Sequence, residues 1–225
     1  MCGILGYVGN RTASPILLEG LRTLEYRGYD SAGIFVPGEI PVKAVGPIDN
    51  LSKKITAPLP GTSGIAHTRW ATHGAPTETN AHPHVDMSGS LAIAHNGIIE
   101  NFRELKEGLV VQGVTFESET DTEVLAKLIG TLYKGDLLEA VRSALSMVRG
   151  TYGLVVMSSQ QPGTIVTARM GSPIVLGLAA DGNLVSSDPS ALLVHTKDVV
   201  YLEDGECAVV TKDSYEISTL KGQKL

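Results

Sequence analysis

The sequence predicts an α+β fold in which helices cover two antiparallel sheets. Three observations lead to this prediction: short apolar strands dominate the first part of the chain, amphipathic helices fill the middle, and a strand-rich segment follows. The chain has 225 residues, 43% of them hydrophobic, which is enough to bury a sizeable core. Because no repeat or low-complexity tract divides the sequence, we expect one compact domain over residues 1–225.

The first strand and helix carry clear boundary signals. Residues 3–8 form a short apolar run that predicts a strand. Ser14 fits an N-cap, and Pro15 fits the first helical position, where its missing N–H costs nothing. Leucines continue at helical spacing to Leu24, and Gly28 is expected to stop the helix.

Short strands and a proline-rich segment come next. Residues 31–36 predict a strand, and residues 37–61 hold five prolines and predict a loop with a short helix near 50–55. Two further strands are predicted at 64–68 and 91–95, joined by a loop rich in His, Thr, Pro and Asn.

Three helices are predicted in the middle of the chain. Asn101 fits an N-cap with Glu104 three residues later, a pattern typical of a capping box, and Gly113 ends that helix. Thr120 or Asp121 caps the next helix. The elements predicted beyond it are a helix over 137–148 and strands over 152–158, 164–170, 174–178, 199–202, 206–211 and 215–220.

Charge and composition exclude several classes of protein. The formal net charge of −6 argues against a nucleic-acid or anionic-membrane surface. No apolar run approaches the ~20 residues that span a bilayer, and no signal peptide is visible. Two cysteines are too few for a disulfide framework, so we expect a cytoplasmic protein. The histidines lack a metal-binding pattern, so we expect no metal and no cofactor.

Cys2 is a candidate nucleophile because of its position in the chain. If Met1 is removed, the Cys2 thiol lies a few bonds from a free α-amine, which titrates near ~8 and can accept a proton at neutral pH. One residue would then supply both nucleophile and general base. The alternative interpretation is a small buried residue near a chain end.

The segment 67–74, directly after a strand, is richer in functional side chains than a core requires. Arg69 fits a bidentate clamp for a carboxylate, and Thr72 and His73 add donors for the same anion. Trp70 is the only tryptophan, and its place in a polar loop suggests a cover over a small ligand.

Asn96 and Gly97 are candidate oxyanion-hole donors. The Asn96 side-chain NH2 and an uncrowded Gly97 backbone N–H are the two donors that such a hole needs. The alternative is a hairpin turn after a strand that ends at His95, but the helix capped by Asn101 follows too closely for a simple hairpin.

Two charged segments have ordinary structural explanations. Residues 24–33 contain Arg27 and Asp30, which fit a surface ion pair. Residues 118–123 form an acidic helix start, although Asp121 there would also suit a ligand ammonium group.

Taken together, these segments resemble one family, the glutaminase domains of glutamine–fructose-6-phosphate aminotransferases. The resemblance covers nearly the whole chain, and six motifs in register make it specific. In order they are MCGI, LEYRGYDSAG, HTRWATHG, NAHPH, HNGIIEN and SETDTE. The resemblance implies a four-layer αββα sandwich of two antiparallel sheets, the N-terminal-nucleophile hydrolase fold.

The resemblance also implies a class II glutamine amidotransferase mechanism. Cys2 would be the nucleophile, Asn96 and Gly97 would form the oxyanion hole, and Arg27 would order the Cys2 amine. The Gly97 carbonyl would help Asp121 to hold the α-ammonium group. The residues implied to bind glutamine are Arg69, Trp70, Thr72, His73, His82, Gly97 and Asp121.

The family's ammonia converts fructose 6-phosphate to glucosamine 6-phosphate in amino-sugar biosynthesis. That sugar would bind only through sugar-isomerase domains, which we expect to lie outside residues 1–225, and the full-length family enzyme is expected to be a homodimer. Alternatives are a phosphoribosylpyrophosphate amidotransferase, which has Arg-Gly-Gln-Asp where this chain has RGYD at 27–30, a non-catalytic glutamine-binding module, and a metal-binding module.

Overall fold

The structure, a computed structural model, describes residues 2–70 and 74–225. Within these residues two antiparallel sheets pack face to face. The strands are β1 (Gly3–Gly9), β2 (Ser31–Phe35), β3 (Val42–Val45), β4 (Ser63–Arg69), β5 (His84–Val85), β6 (Leu91–Ile99), β7 (Gly150–Ser158), β8 (Ile165–Met170), β9 (Val175–Ala179), β10 (Gly182–Ser186), β11 (Val199–Tyr201), β12 (Glu206–Val210) and β13 (Tyr215–Thr219). The α-helices are α1 (Ala13–Leu24), α2 (Ile48–Lys54), α3 (Phe102–Val111), α4 (Asp121–Leu132) and α5 (Leu137–Leu145).

The strand order places β1 at the centre of one sheet and β6 next to the edge strand of the other. One sheet has the order β11-β9-β10-β1-β4-β2-β3, and the other has the order β13-β12-β8-β7-β6-β5. Helices α1 and α2 cover the first sheet, and α3, α4 and α5 cover the second. The predicted two-sheet α+β architecture and the implied αββα sandwich are therefore confirmed.

Alternation along each strand separates the layers. In β1, Leu5 and Tyr7 pack against α1, whereas Ile4 and Val8 point into the space between the sheets. In β6, the residues at 92 and 94 are alanines and face the same interior. Side chains of β4 and β6 that share this inward face therefore meet at the end of the sandwich where β1 begins.

The start of α1 differs from the prediction. The helix begins at Ala13, with Thr12 in the cap position, and Thr12 makes no side-chain cap hydrogen bond. Ser14 lies inside the helix, where its hydroxyl accepts a hydrogen bond from the Leu59 N–H at 2.9 Å. Ser14 thus ties α1 to the proline-rich segment, a tertiary role that local patterning does not reveal.

The predicted capping box at Asn101 is wrong, whereas Thr120 does cap α4. The Asn101 side chain donates to the Met147 carbonyl and accepts from the Arg149 N–H, and Glu104 pairs with the Arg149 guanidinium. The Thr120 hydroxyl accepts from an N–H of the first turn of α4. In the described part of the chain, no helix is long and apolar enough to cross a membrane.

Three strands, β3, β5 and β10, escaped the prediction, and β6 runs further than expected; β5 has only two residues and lies in the segment predicted as a loop. The sequence of β3 is short and mixed, and β10 contains Asn183 and Ser186, so neither reads as an apolar run. β6 does not end at His95 but continues through Asn96 and Gly97 to Ile99, paired throughout with β7. The hairpin-turn interpretation of Asn96-Gly97 is therefore wrong.

Candidate active site

Cys2 directly precedes β1, with its thiol at one end of the space between the sheets. The Cys2 Sγ accepts a hydrogen bond from the Trp70 N–H at 3.1 Å and donates to the Trp70 carbonyl at 3.6 Å. Burial raises the pKa of the Cys2 thiol, although the Trp70 amide and the Arg69 charge oppose this effect. The Cys2 thiol is therefore neutral at neutral pH, and a base would be needed to ionise it.

The backbone around Cys2 is fixed by side chains from both sheets. The Cys2 carbonyl oxygen accepts from Asn96 Nδ2 at 3.0 Å and from Arg27 Nε at 3.3 Å. The Gly3 N–H donates to Thr68 Oγ1 at 3.1 Å. Because donors from different elements converge here, the thiol has a defined position although it lies near the start of the chain.

Arg27 is held by an acidic residue from the second half of the chain. Its guanidinium lies 2.5 Å from Asp188 Oδ2, and the Tyr26 hydroxyl donates to the same oxygen at 2.8 Å. Burial acts to raise the pKa of Asp188, but hydrogen bonds from Ser190 and Tyr26 and the Arg27 charge outweigh it, so the pKa is lowered. Arg27 contacts Cys2 at its carbonyl group; its role in ordering the Cys2 amine stays a prediction.

A cavity opens beside the thiol, between the two sheets. The described residues that line it are Cys2, Arg69, Trp70, His82, His95, Asn96, Gly97, Thr120, Asp121 and Thr122. All but three of the residues predicted for the site therefore share one cavity. The exceptions are Arg27, which lies behind Cys2, and Thr72 and His73, which lie outside the described residues.

The cavity carries one cationic and one anionic side chain. Arg69, the last residue of β4, is buried and donates to the carbonyls of Gly74 and Ala75 at 3.4 and 3.3 Å. Asp121, the first residue of α4, accepts from the Ile99 N–H at 2.8 Å through one carboxylate oxygen. Opposite charges in one small cavity suit a zwitterionic amino acid.

Trp70 lies on the rim of the cavity. Its side chain is 44% exposed and meets Tyr29 edge to face, with 5.5 Å between ring centroids. The segment that carries Tyr29 can approach Trp70 closely because residue 28 is glycine. A Cβ at Gly28 would lie 2.8 Å from the Trp70 backbone nitrogen. Gly28 therefore leaves room for the Trp70 backbone N–H, which donates to the Cys2 thiol.

Asn96 and Gly97 lie in β6, and both line the cavity together with Cys2. Asn96 Oδ1 is 3.0 Å from His67 Nε2, on the inward face of β4. Gly97 has a φ of 129°, and a Cβ there would lie 2.1 Å from the Thr151 carbonyl oxygen. Only glycine fits this conformation.

Four buried histidines lie in or next to the cavity: His82 and His95 line it, and His67 and His84 pack against His82. The rings of His67 and His82 are 4.2 Å apart between centroids, and those of His82 and His84 are 5.0 Å apart. Burial lowers the pKa of His67 to about 3 and lowers the pKa values of His82, His84 and His95. In the described residues no three His, Cys, Asp or Glu side chains are grouped to hold a metal ion.

Sequence reasoning missed three residues of this region. His67 carried a detectable signal, because it lies two residues before Arg69 and so shares its face of a strand. His95 marked the predicted end of a strand and received no role. Asp188 carried no local signal, since it reaches Arg27 only through the pairing of β1 with β10.

The fold and this site define a class of protein. Two antiparallel sheets between helical layers, with a thiol at the start of a central strand, form the N-terminal-nucleophile hydrolase architecture. A family profile described as a glutamine amidotransferase domain matches residues 58–213. The chain belongs to this glutamine amidotransferase family.

Curated relatives support the assignment over almost the whole chain. Glutamine–fructose-6-phosphate aminotransferases (isomerizing) from Chlorobaculum tepidum and Thermus thermophilus are each 52% identical over 98% and 99% of this chain. The corresponding protein of Methanosarcina mazei is 47% identical over 99% of it. The chain spans only 37–38% of the length of these relatives.

Solved structures of similar fold are more distant in sequence. The glutamine phosphoribosylpyrophosphate amidotransferase of B. subtilis, solved with ADP and GMP, is 30% identical with a TM-score of 0.81. It matches 97% of this chain and 49% of its own length. A class-II glutamine aminotransferase domain protein of Silicibacter pomeroyi shares the fold alone, at 15% identity and a TM-score of 0.60.

Proposed function

We propose that this chain hydrolyses L-glutamine to glutamate and ammonia with Cys2 as the nucleophile. The observation that carries the proposal is the cavity in which the Cys2 thiol, the Asn96-Gly97 pair and the charges of Arg69 and Asp121 lie together. A binding module would need the charged pair but not a thiol beside two oxyanion donors. The same proposal makes residues 1–225 the glutaminase domain of a longer cytoplasmic enzyme.

The reaction follows the chemistry of an acyl transfer. The α-amine freed by removal of Met1 takes the Cys2 proton, and the sulfur attacks the side-chain amide carbon of glutamine. Asn96 and Gly97 donate to the oxyanion, each worth about 3 kcal/mol of transition-state stabilisation. The amine returns the proton to the leaving nitrogen, so that the C–N bond breaks and ammonia departs. Water then hydrolyses the thioester to glutamate.

Selectivity for glutamine rests on the two ends of its α-amino acid group. Arg69, together with Thr72 and His73, binds the α-carboxylate, and Asp121 with the Gly97 carbonyl binds the α-ammonium. Simple amides lack both charges and would leave these side chains unpaired, which disfavours them. Trp70 and His82 complete the walls around the substrate.

We further propose fructose 6-phosphate as the acceptor of the ammonia, with glucosamine 6-phosphate as product. The support is the 52% identity to relatives named for that reaction, compared with 30% to the phosphoribosylpyrophosphate enzyme of B. subtilis. Sugar binding would then belong to isomerase domains outside this chain, and the full enzyme would be a homodimer.

The nucleophile is tested by covalent labelling. An electrophilic glutamine analogue should add one equivalent to the wild-type chain and to Cys207→Ala, but none to Cys2→Ala. Cys207 is the matched control, because it is buried in β12 and hydrogen bonded to the Ser218 carbonyl. Intact mass and peptide mapping measure the result, and labelling of Cys2→Ala to the same extent would refute the proposal.

The acceptor is tested by following the amide nitrogen. The full-length natural gene product receives 15N-amide glutamine together with fructose 6-phosphate and phosphoribosylpyrophosphate. We expect the label in glucosamine 6-phosphate, detected by mass spectrometry. Label in phosphoribosylamine would instead assign the chain to the alternative amidotransferase.

A further inference from the structure

Asn96 needs a second residue to aim its amide, and the hydrogen bonds around it show which one. Its Nδ2 lies 3.0 Å from the Cys2 carbonyl oxygen, which can only accept a hydrogen bond. The group facing that carbonyl must therefore be the NH2, which fixes the orientation of the Asn96 amide. One N–H is used there, and the second remains to donate into the cavity.

This orientation determines the tautomer of His67. Asn96 Oδ1 then faces His67 Nε2 at 3.0 Å, and an amide oxygen can only accept. His67 Nε2 must therefore carry a proton. Its Nδ1 is buried and has no hydrogen-bond partner within 3.5 Å among the described residues, so a proton there would gain no hydrogen bond of normal length.

The His67 ring has little freedom to leave this position. It is fully buried in β4, and the His82 ring packs against it at 4.2 Å between centroids. Arg69 lies on the same strand face and disfavours a charged imidazole, as does burial, so the ring stays neutral. The His67 N–H, fixed on one sheet, therefore holds the Asn96 side-chain amide of the other sheet in place.

We propose that His67 is a positioning residue that holds the Asn96 amide in the one orientation that presents an N–H to the oxyanion. The role rests on the proposed glutaminase function. Without the His67 N–H, Asn96 Oδ1 would be a half-buried acceptor lacking its partner, and the amide would rotate away from the cavity. His67 touches neither substrate nor reacting atoms, and acts only through Asn96.

Kinetics test the positioning role. His67→Phe should lower kcat 10–100-fold, less than the ~10²–10³-fold cost of losing an oxyanion donor, and change KM less than about twofold. In an Asn96→Ala background the same substitution should have almost no further effect on kcat. An equal fold-loss in both backgrounds would mean that His67 acts structurally, and the proposal would fall.

Two amide variants provide a matched pair of controls. In His67→Gln the side-chain nitrogen lies about as far from the backbone as Nε2, whereas in His67→Asn it reaches only as far as Nδ1. We therefore expect His67→Gln to recover at least part of kcat and His67→Asn to resemble His67→Phe. Equal activity of the two amides would contradict the proposal.

A spectroscopic measurement on the wild-type chain is independent of variants that fail to fold. The 15N shifts of His67 should show a protonated Nε2 and an unprotonated Nδ1 between pH 8 and pH 6. The Nδ1–H tautomer in an active wild-type chain would overturn the positioning role alone. A wild-type chain with the expected tautomer but no glutamate release would refute the proposed function, and the positioning role of His67 with it.

Discussion

A chain that keeps one extra residue in front of Cys2 is expected to release glutamate about 10²–10⁴-fold more slowly, the usual contribution of a general base. The nitrogen of Cys2 is then an amide, which cannot accept a proton at neutral pH. The thiol needs that base because burial raises its pKa. In the described residues, both hydrogen bonds of Cys2 Sγ are with the Trp70 backbone, and neither group can replace the amine.

The same polypeptide supplies its own control. A protease site placed so that cleavage leaves Cys2 as the first residue should restore glutamate release in step with cleavage, followed by intact mass. Glutamine binding, measured by calorimetry, should change only a few-fold, since Arg69 and Asp121 are untouched. Full activity before cleavage would exclude the α-amine as the base.

Acidification from pH 7 to pH 5 is expected to lower the free energy of unfolding by up to about 6 kcal/mol. His67, His82 and His84 are buried with lowered pKa values, that of His67 at about 3, so in this range they bind protons only when the chain unfolds. Their stabilisation is complete above the unfolded pKa of ~6.5 and declines as pH falls below it. Each histidine contributes about 2 kcal/mol over this interval.

Urea unfolding at pH 7 and pH 5 measures this effect. Carboxylates with unfolded pKa values near ~4 stay ionised in both conditions, so the difference isolates the histidines. His82→Phe, which retains an aromatic ring between its neighbours, should reduce the pH dependence by about 2 kcal/mol. His195→Gln, at a half-buried surface position, should reduce it less. An unchanged pH dependence in His82→Phe would contradict the prediction.

The layers of the fold were predicted from the sequence better than the helix ends and the short or polar strands. Short, largely uncharged runs located β1 and β4, because a strand between a helix layer and a second sheet is buried on both faces. The prediction missed β10, in which polar residues are satisfied by contacts with distant parts of the chain. Ser186, for example, donates to the Ile4 carbonyl at 3.1 Å, a contact that no local pattern encodes.

The site was predictable where chemistry and sequence position coincide. Cys2, the Asn96-Gly97 pair and Arg69 were identified because their side chains suit the reaction and lie next to strands. His67 contacts Asn96 from a strand of the other sheet, and Asp188 contacts Arg27 from the segment after β10, so both contacts depend on which strands pair and face one another. Such contacts follow from the three-dimensional arrangement of the strands and leave no motif in the sequence.

The anchoring of Cys2 has a consequence for how activity can be interpreted. The N–H of Ile4, two residues after Cys2, donates to Ser187 Oγ at 2.9 Å. The Cys2 carbonyl accepts a hydrogen bond from the Asn96 side chain of the other sheet. The proposed nucleophile and the groups that align it therefore lie in segments that are far apart in the sequence. If the chain has the proposed glutaminase activity, turnover would require both sheets to be assembled, and a loss of turnover would measure global unfolding as much as local damage.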